Sequence, residues 1–370
     1  MSFLLTGKHR RRREEFREFA RELAPGGDGF ARDNLAQAAR RGYCGLPIPR
    51  EWGGLGEDFL TYILFIEEIS RACASTGVIL AVHTSVGSFP LLYHGTAAQK
   101  KRYLPGLARG SLLGAFALTE AGAGSDAAAL QMTAGRTGGG GYRLNGSKIF
   151  ITSGGEADLY TVFARSDPEK GTRGITAFLV EKGVPGMEAG LPERKMGLHG
   201  SVTTELRFSD VSVPEENRLG GEGEGFAIAM SLLDGGRIGI AAQGLGLARA
   251  AIEETRTHLR GRGVHLDQGA AFALADLRTG LEAARLLTYR AALLKEAARP
   301  CGKEASMAKM LATDLAVKAA ARCLDLWGPA GVRSESPVAR YFCDAKATQI
   351  YEGSNQVQRI VIARELLKNK

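Results

Sequence analysis

The sequence predicts an α+β fold laid out in three consecutive regions: helical, then β-rich, then helical again. Apolar residues recur at helical spacing from residue 1 to about 115, and short runs rich in β-branched and aromatic residues fill 116–222. A helical period returns over 223–370. Strands grouped between two blocks of helices, instead of alternating with single helices, argue against βαβ units.

In the first region Pro25-Gly26-Gly27, Pro47-Ile48-Pro49 and Gly53-Gly54 punctuate the helical runs, the clearest of which covers 59–74. The basic run Lys8-His9-Arg10-Arg11-Arg12-Arg13 passes into Glu14, Glu15, Phe16 and Phe19 with amphipathic spacing. It reads as a solvated helix start, not a nucleic-acid arm. In the middle region Asn145-Gly146, between Tyr142-Arg-Leu and Lys148-Ile-Phe-Ile-Thr152, predicts a hairpin, because this dipeptide accepts the positive φ angles of a type I′ turn. Segments 159–164, 175–180 and 206–213 predict further strands, and Gly138 to Gly141 a surface loop. In the last region Leu274, Leu277 and Leu281 share one helical face. Met307, Met310, Leu311 and Leu315 share another, where the methionines read as core packing.

Composition is that of a soluble globular protein, with 44% apolar and 24% charged residues. The net charge of +8 suits a phosphate-bearing partner but is too dispersed to select nucleic acid. Five scattered cysteines form no CxxC pair and six histidines no HExxH spacing, which predicts reduced thiols and no metal. No uninterrupted apolar run reaches membrane-spanning length and no signal-like segment opens the chain, so a cytoplasmic protein with no membrane partner is expected.

Gly122-Ala-Gly124-Ser-Asp-Ala127 fits the GxGxxA pattern of a dinucleotide site, but the context fails. No Asp or Glu lies between Asp126 and Glu156 to hold a ribose, and a predicted hairpin replaces the crossover. Such a turn still leaves backbone N–H groups free for close approach of a flat ring or a pyrophosphate, with Thr119 and Ser125 adding hydroxyls. Glu352 lies between an apolar ring, Tyr351, and a conformationally free Gly353. Asp234 and Arg237, three apart, fall on one helix face.

Read in full, 116–126 (Phe116-Ala-Leu-Thr-Glu-Ala-Gly-Ala-Gly-Ser-Asp126) resembles the signature of acyl-CoA dehydrogenases. Lys148-Ile-Phe-Ile-Thr-Ser-Gly-Gly155, Lys195-Met-Gly197, Leu233-Asp-Gly-Gly-Arg237 and Tyr351-Glu-Gly-Ser-Asn-Gln356 with Gln358-Arg359 match in order, so the resemblance spans the chain. It implies an N-terminal helical domain (1–115), a β-barrel-like middle domain (116–222) and a C-terminal four-helix bundle (223–370). It also implies FAD-dependent α,β-dehydrogenation of an acyl-CoA thioester, with Glu352 abstracting the α-proton and flavin N5 taking the β-hydride. FAD contacts are implied at Phe116, Leu118, Thr119, Gly124, Ser125, Phe150, Thr152, Ser354 and Gln356. Substrate contacts are implied at Ser125, Asp234, Arg237, Tyr351 and Gly353, with the Glu352 N–H supporting the thioester oxygen. An electron-transferring flavoprotein is the implied acceptor and a homodimer or homotetramer the implied assembly.

The family pattern is altered in places. Phe150 replaces a usual Trp, Ala121 a usual Pro and His199 a common Arg. Two segments that contact flavin across subunits in the family are changed at His258-Leu-Arg260-Gly261-Arg262 and at Asp325-Leu-Trp-Gly328-Pro329. A carboxylate there would repel a pyrophosphate, and Pro329 removes an N–H. Two alternatives stand beside the main reading: a dehydrogenase of acyl groups on a carrier protein, as the resemblance also allows, and, on these altered segments, a non-catalytic or half-active subunit of a mixed oligomer.

Overall fold

The computed structural model describes residues 4–27, 29–261 and 267–368. Helices α1 (Gly7–Glu22), α2 (Arg32–Arg40), α3 (Phe59–Ala72), α4 (Ala74–Val82), α5 (Phe89–His94) and α6 (Ala97–Arg109) come first. Strands β1 (Gly114–Ala117), β2 (Thr133–Arg136), β3 (Tyr142–Thr152), β4 (Leu159–Arg165), β5 (Ile175–Glu181), β6 (Met187–Ala189), β7 (Thr203–Val213) and β8 (Arg218–Leu219) follow. Helices α7 (Gly225–Gly261), α8 (Gln268–Glu296), α9 (Gly302–Trp327), α10 (Pro337–Thr348) and α11 (Asn355–Leu367) close the chain.

Helix α3 begins where Asp58 accepts a hydrogen bond from Thr61 N at 2.7 Å, and it is buried from Phe59 through Ser70. A helix buried on all sides carries its polar groups into the core, and Glu67 and Glu68 have no exposed surface. Their charges are met from three other helices. Arg13 of α1 donates to Glu68 at 2.8 Å and Glu67 at 2.9 Å, and Arg285 of α8 grips Glu67 with two nitrogens at 2.7 and 2.9 Å. Arg249 of α7 donates to Glu68 at 2.6 Å and the Tyr289 hydroxyl to Glu67 at 2.8 Å. Burial alone would raise both carboxyls; attraction to Arg285 and Arg13 at Glu67, and to Arg249 at Glu68, holds both below the usual range. The basic run is accordingly a solvated start only in part: Lys8, Arg10 and Arg11 are exposed, whereas His9 is buried and Arg12 and Arg13 are half-buried. Arg13 reaches the core, and Lys8 pairs with Glu57 at 2.6 Å and His9 with Asp58 at 3.1 Å, because α1 lays its basic stripe across the carboxylates of α3 and its cap.

The strands form one eight-stranded mixed sheet in the order β6-β7-β3-β2-β4-β5-β8, with β1 parallel to β4. The hairpin expected at Asn145-Gly146 is absent, since β3 runs unbroken through both residues. The reversal lies at 137–141 instead, where Thr137 N bonds Gly141 O at 3.1 Å, so the glycine tract forms the turn between β2 and β3. Asn145 sits opposite a bulge in β7. Its side chain accepts from Asp210 N at 2.8 Å and donates to Asp210 Oδ1 at 3.0 Å, while Asp210 takes a φ of 51°. Turns and bulges recruit the same residue types, because both need backbone tolerant of positive φ.

In the C-terminal region α7 and α9 meet through small side chains, Ala305, Ala308, Ala312, Ala316 and Ala320 forming the fully buried face of α9. Close approach of the two helices pushes the longer Met307 and Met310 to a half-buried margin, so these methionines are not the core face expected of them. Leu277, Leu281 and Leu315 are buried as expected. The segments Ala74–His94 and Gly225–Gly261 are long and apolar enough to cross a membrane, and 94% and 67% of their most apolar windows are buried inside the protein.

The cluster around Glu67 yields a stability test. Glu67→Gln leaves the Arg285 guanidinium buried beside an uncharged amide and should lower unfolding free energy by about 3–5 kcal/mol. Glu14→Gln, which breaks a surface pair with Arg17 at 2.6 Å, should cost less than about 1 kcal/mol. Denaturant melts of both variants check the contrast.

Candidate active site

The turn after β1 carries the first group of expected site residues. Phe116 lies at the end of β1 against the Phe163 ring, 4.8 Å away centre to centre, and Leu118 is buried. Thr119 follows, its carbonyl accepting from Ile149 N at 2.9 Å. Glu120 then turns inward, bonding the backbone N–H groups of Gln131 at 2.6 Å and Met132 at 3.0 Å. Lys148 of β3 closes this arrangement without any exposed surface, donating to Glu120 at 2.7 Å and to Leu118 O at 3.0 Å. Burial lowers the Lys148 pKa to about 8, and the facing Glu120 opposes that fall. The result is a rigid base beneath an open rim. Gly124 and Ser125 are exposed, and a Cβ added at Gly122 or Gly124 would meet nothing within 4 Å.

Phe150 belongs to this rim through a second bulge, between Lys148 and Ile151, that sets its φ at 56° and leaves the side chain 61% exposed. An aromatic ring lifted out of a strand beside open glycines and free hydroxyls is a platform for a flat, polar-edged ligand. Thr152, half-buried at the end of β3, extends it.

The second group sits between α3, α7 and α9. Asp234 and Arg237 of α7 pair at 2.9 Å, and Arg237 is buried. Tyr351 donates through its hydroxyl to Gln243 Oε1 at 2.6 Å, and Gln243 in turn donates to Ala74 O at 3.0 Å. Glu352 and Gly353 both take left-handed backbone, at φ 55° and 87°. For a glutamate this conformation is strained and requires outside support. Gln358 supplies part of it, donating to Gly353 O at 2.8 Å and Glu352 O at 3.3 Å. The carboxylate lies flat over Gly236, where an added Cβ would come within 2.5 Å of Glu352 Oε2. That oxygen is buried with no hydrogen-bond partner among the described residues. Desolvation raises the Glu352 pKa to about 7, with Arg237 and Lys309 pulling it back down.

A lone carboxylate at such a pKa is a base held ready near neutrality. Ser354 caps α11, its hydroxyl accepting from Val357 N at 3.4 Å, and Gln356 is exposed to solvent. In the altered segments His258 stacks on Trp327 at 3.8 Å, and Asp325 lies on the surface 3.4 Å from Arg322. Arg262 lies outside the described residues.

Gly236, Lys309, Tyr62 and Gln243 were not marked by the sequence reading. Two had a visible signal. Adjacent glycines inside the helical run 225–261 are costly unless something must approach closely, and Lys309 interrupts an alanine face at helical spacing.

Three family models match the chain in succession: "Acyl-CoA dehydrogenase, N-terminal domain" over 6–111, "middle domain" over 115–211 and "C-terminal domain" over 223–367. An acyl-CoA dehydrogenase of Bacillus subtilis (strain 168) is 51% identical over 367 residues, 96% of this chain and 97% of that one. The solved butyryl-CoA dehydrogenase of Megasphaera elsdenii superposes with a TM-score of 0.96 at 42% identity, covering 100% of both chains. A chain from structural work on the electron transferring flavoprotein of Acidaminococcus fermentans superposes equally, with a TM-score of 0.96 at 44% identity over 100% of both chains.

Glu120→Ala tests the base beneath the rim. It strands the buried Lys148 charge and should destabilise the protein by about 3–5 kcal/mol. Hydrogen exchange should show the Gln131 and Met132 amides losing protection ahead of the sheet as a whole.

Proposed function

The chain belongs to the acyl-CoA dehydrogenase family, and from that premise we propose that Glu352 is the base that removes the α-proton of a bound acyl-CoA. Its reaction is acyl-CoA dehydrogenation and its cofactor is FAD. The observation that carries the assignment to Glu352 is its unpartnered, buried Oε2.

The α-C–H of a thioester is a weak acid, so the acceptor must be strong and the developing charge on the thioester oxygen must be stabilised. Desolvation makes Glu352 a stronger base than an exposed carboxylate, and Arg237 with Lys309 keeps enough of it ionised to work near neutral pH. The left-handed turn leaves the Glu352 N–H as the donor for the thioester oxygen. Tyr351, tied through Gln243 to Ala74, walls the pocket on the side of α4. The α-proton ends on Glu352 Oε2.

FAD, when bound, supplies the oxidant that takes the β-hydrogen with its electron pair. The rim fits such a group: Phe150 offers a ring face, Thr119, Ser125 and Thr152 offer hydroxyls, and Gly122 and Gly124 leave room for close approach. Phe116 and Leu118 form the apolar floor of that rim. Ser354 serves as a helix cap before any cofactor contact, and Gln356 is free to make one. Arg322, 3.4 Å from Asp325 on the surface, offsets its charge, a point in favour of the active-enzyme reading over a half-active subunit.

A short acyl group is the proposed substrate, in keeping with the butyryl-CoA dehydrogenase relative. An electron-transferring flavoprotein is the proposed acceptor, in keeping with the Acidaminococcus relative. Assembly into a dimer or tetramer is supported by apolar side chains exposed on the C-terminal helices, among them Phe272, Leu286, Ile360 and Leu366.

Two outcomes test the assignment. Glu352→Gln should keep FAD and bind acyl-CoA, yet reduce its flavin slower than wild type by several orders of magnitude under anaerobic mixing. Bleaching at a near-normal rate would move the role to another group. In the wild type, kcat/KM for a short acyl-CoA should rise with pH through a midpoint near 7, the raised pKa of Glu352, because only its ionised form accepts the proton. A flat profile between pH 6 and 8, on the order of a unit either side of that midpoint, would contradict it.

A further inference from the structure

Lys309 stands on the alanine face of α9, between Ala305, Ala308 and Ala312, and is fully buried. A lysine in such a place needs a reason, because its ammonium loses water and must find other partners. Both acceptors it has are uncharged oxygens: Gly353 O at 2.9 Å and Asn355 Oδ1 at 2.8 Å. Asn355 is itself held to α9, donating to Thr313 Oγ1 at 2.9 Å and Asp314 Oδ1 at 2.7 Å. Gly353 O therefore receives one donor from α9 and a second from Gln358 of α11 at 2.8 Å. A carbonyl gripped by two helices fixes the Gly353–Ser354 peptide, the far end of the two consecutive left-handed residues.

We infer that Lys309 is a positioning residue for the base, locking the Glu352–Gly353 turn and lending the carboxylate a positive charge through space. The inference rests on the reading of Glu352 as the base. The groups that face the carboxylate are Arg237 from α7, Lys309 from α9, Tyr62 from α3 and its own neighbour Tyr351. Lys309 in turn faces Glu352, Asp314 and Arg237. Burial lowers its own pKa to about 7, against the pull of Glu352 and Asp314. Attraction to the two carboxylates favours its charged form, which couples the cation to Glu352. Hydrogen bonding and charge are separable parts of this role, since the donors go to neutral oxygens while the charge acts on Glu352.

The test compares Lys309→Gln, which can keep a donor but loses the charge, with Lys309→Met, which loses both. Two quantities are read on FAD-loaded protein: the pH midpoint of kcat/KM, and the midpoint of the Glu352 carboxyl stretch in infrared titration, assigned by its absence from Glu352→Gln. Both variants should move both midpoints upward by about one unit, roughly a tenfold loss of ionised base at fixed acid pH. Lys309→Met should lose plateau kcat as well, since Gly353 O then keeps only the Gln358 donor. Lys309→Arg, which retains the charge, should stay nearer to wild type in midpoint than either. Variants that fold and hold FAD but titrate as the wild type does would overturn the inference and leave Lys309 a packing residue. Should Lys309→Met fail to fold, the Gln and Arg variants decide by the same midpoints. An active Glu352→Gln would refute the base reading instead, while the infrared midpoint would still report whether Lys309 acts on that carboxyl.

Discussion

A carboxylate with one oxygen buried and unpaired is expensive to keep, and Glu352 is kept in that state by backbone and by a bare helix surface. Its own φ of 55° and that of Gly353 at 87° turn the side chain back over α7, and Gly236 removes the Cβ that would occupy the space. A pairing partner would spare the cost of desolvation and lower the carboxyl's pKa, for a salt-bridged carboxylate is a weaker proton acceptor. The compromise is two cations near enough to be felt, Arg237 and Lys309. Neither bonds Oε2, which has no partner, and Arg237 is further occupied by Asp234 at 2.9 Å. Much of the surrounding architecture follows from holding that strained turn still: α9 grips it through Lys309 and Asn355, and α11 starts directly after it.

The helices that carry these groups are in turn fixed by charge. Glu67 and Glu68 on the fully buried α3 draw arginines from α1, α7 and α8 into one cluster, so the N-terminal helices and the C-terminal bundle share a core. Ion pairs of this kind contribute less to stability than apolar packing of equal volume, but breaking one side is costly, which makes the relative placement of the helices hard to alter. Tyr62, on the same helix as the cluster, stands close enough to Glu352 for its pKa to respond to the carboxylate. Placement of α3 therefore sets part of the surroundings of the Glu352 carboxyl.

Much of this was legible in the residues. The helix-strand-helix order and the strands at 159–164, 175–180 and 206–213 follow from periodicity, whereas the roles expected of Glu352, Phe150 and the glycine turn come from the resemblance of their motifs. What was misread shares one cause: a local pattern was assigned its usual setting. Asn145-Gly146 signals positive φ, and only the partner strand decides between a turn and a bulge. The N-terminal basic residues signal a charged face, and the carboxylates that pair with Lys8, His9 and Arg13 come from residues 57, 58, 67 and 68, far along the chain. Met307 and Met310 have the spacing of a core face, but the alanines beside them allow the closer helix contact. Lys309 and Gly236 leave only a local signal, a cation in an alanine face and a glycine inside a helix, and each acquires its meaning only from the turn at 352–353 that packs against it.

The claim at the centre of this account is that Glu352 Oε2 carries the α-proton. It is tested most directly by following loss of deuterium to water from the α-carbon of a bound acyl-CoA analogue whose β-position cannot give up hydride. The account predicts that the wild-type protein catalyses this exchange, with a rate that rises through pH 7 as the Glu352 carboxyl ionises. Exchange that is absent in the wild type, or that persists undiminished once Glu352 is replaced by Gln, would contradict it.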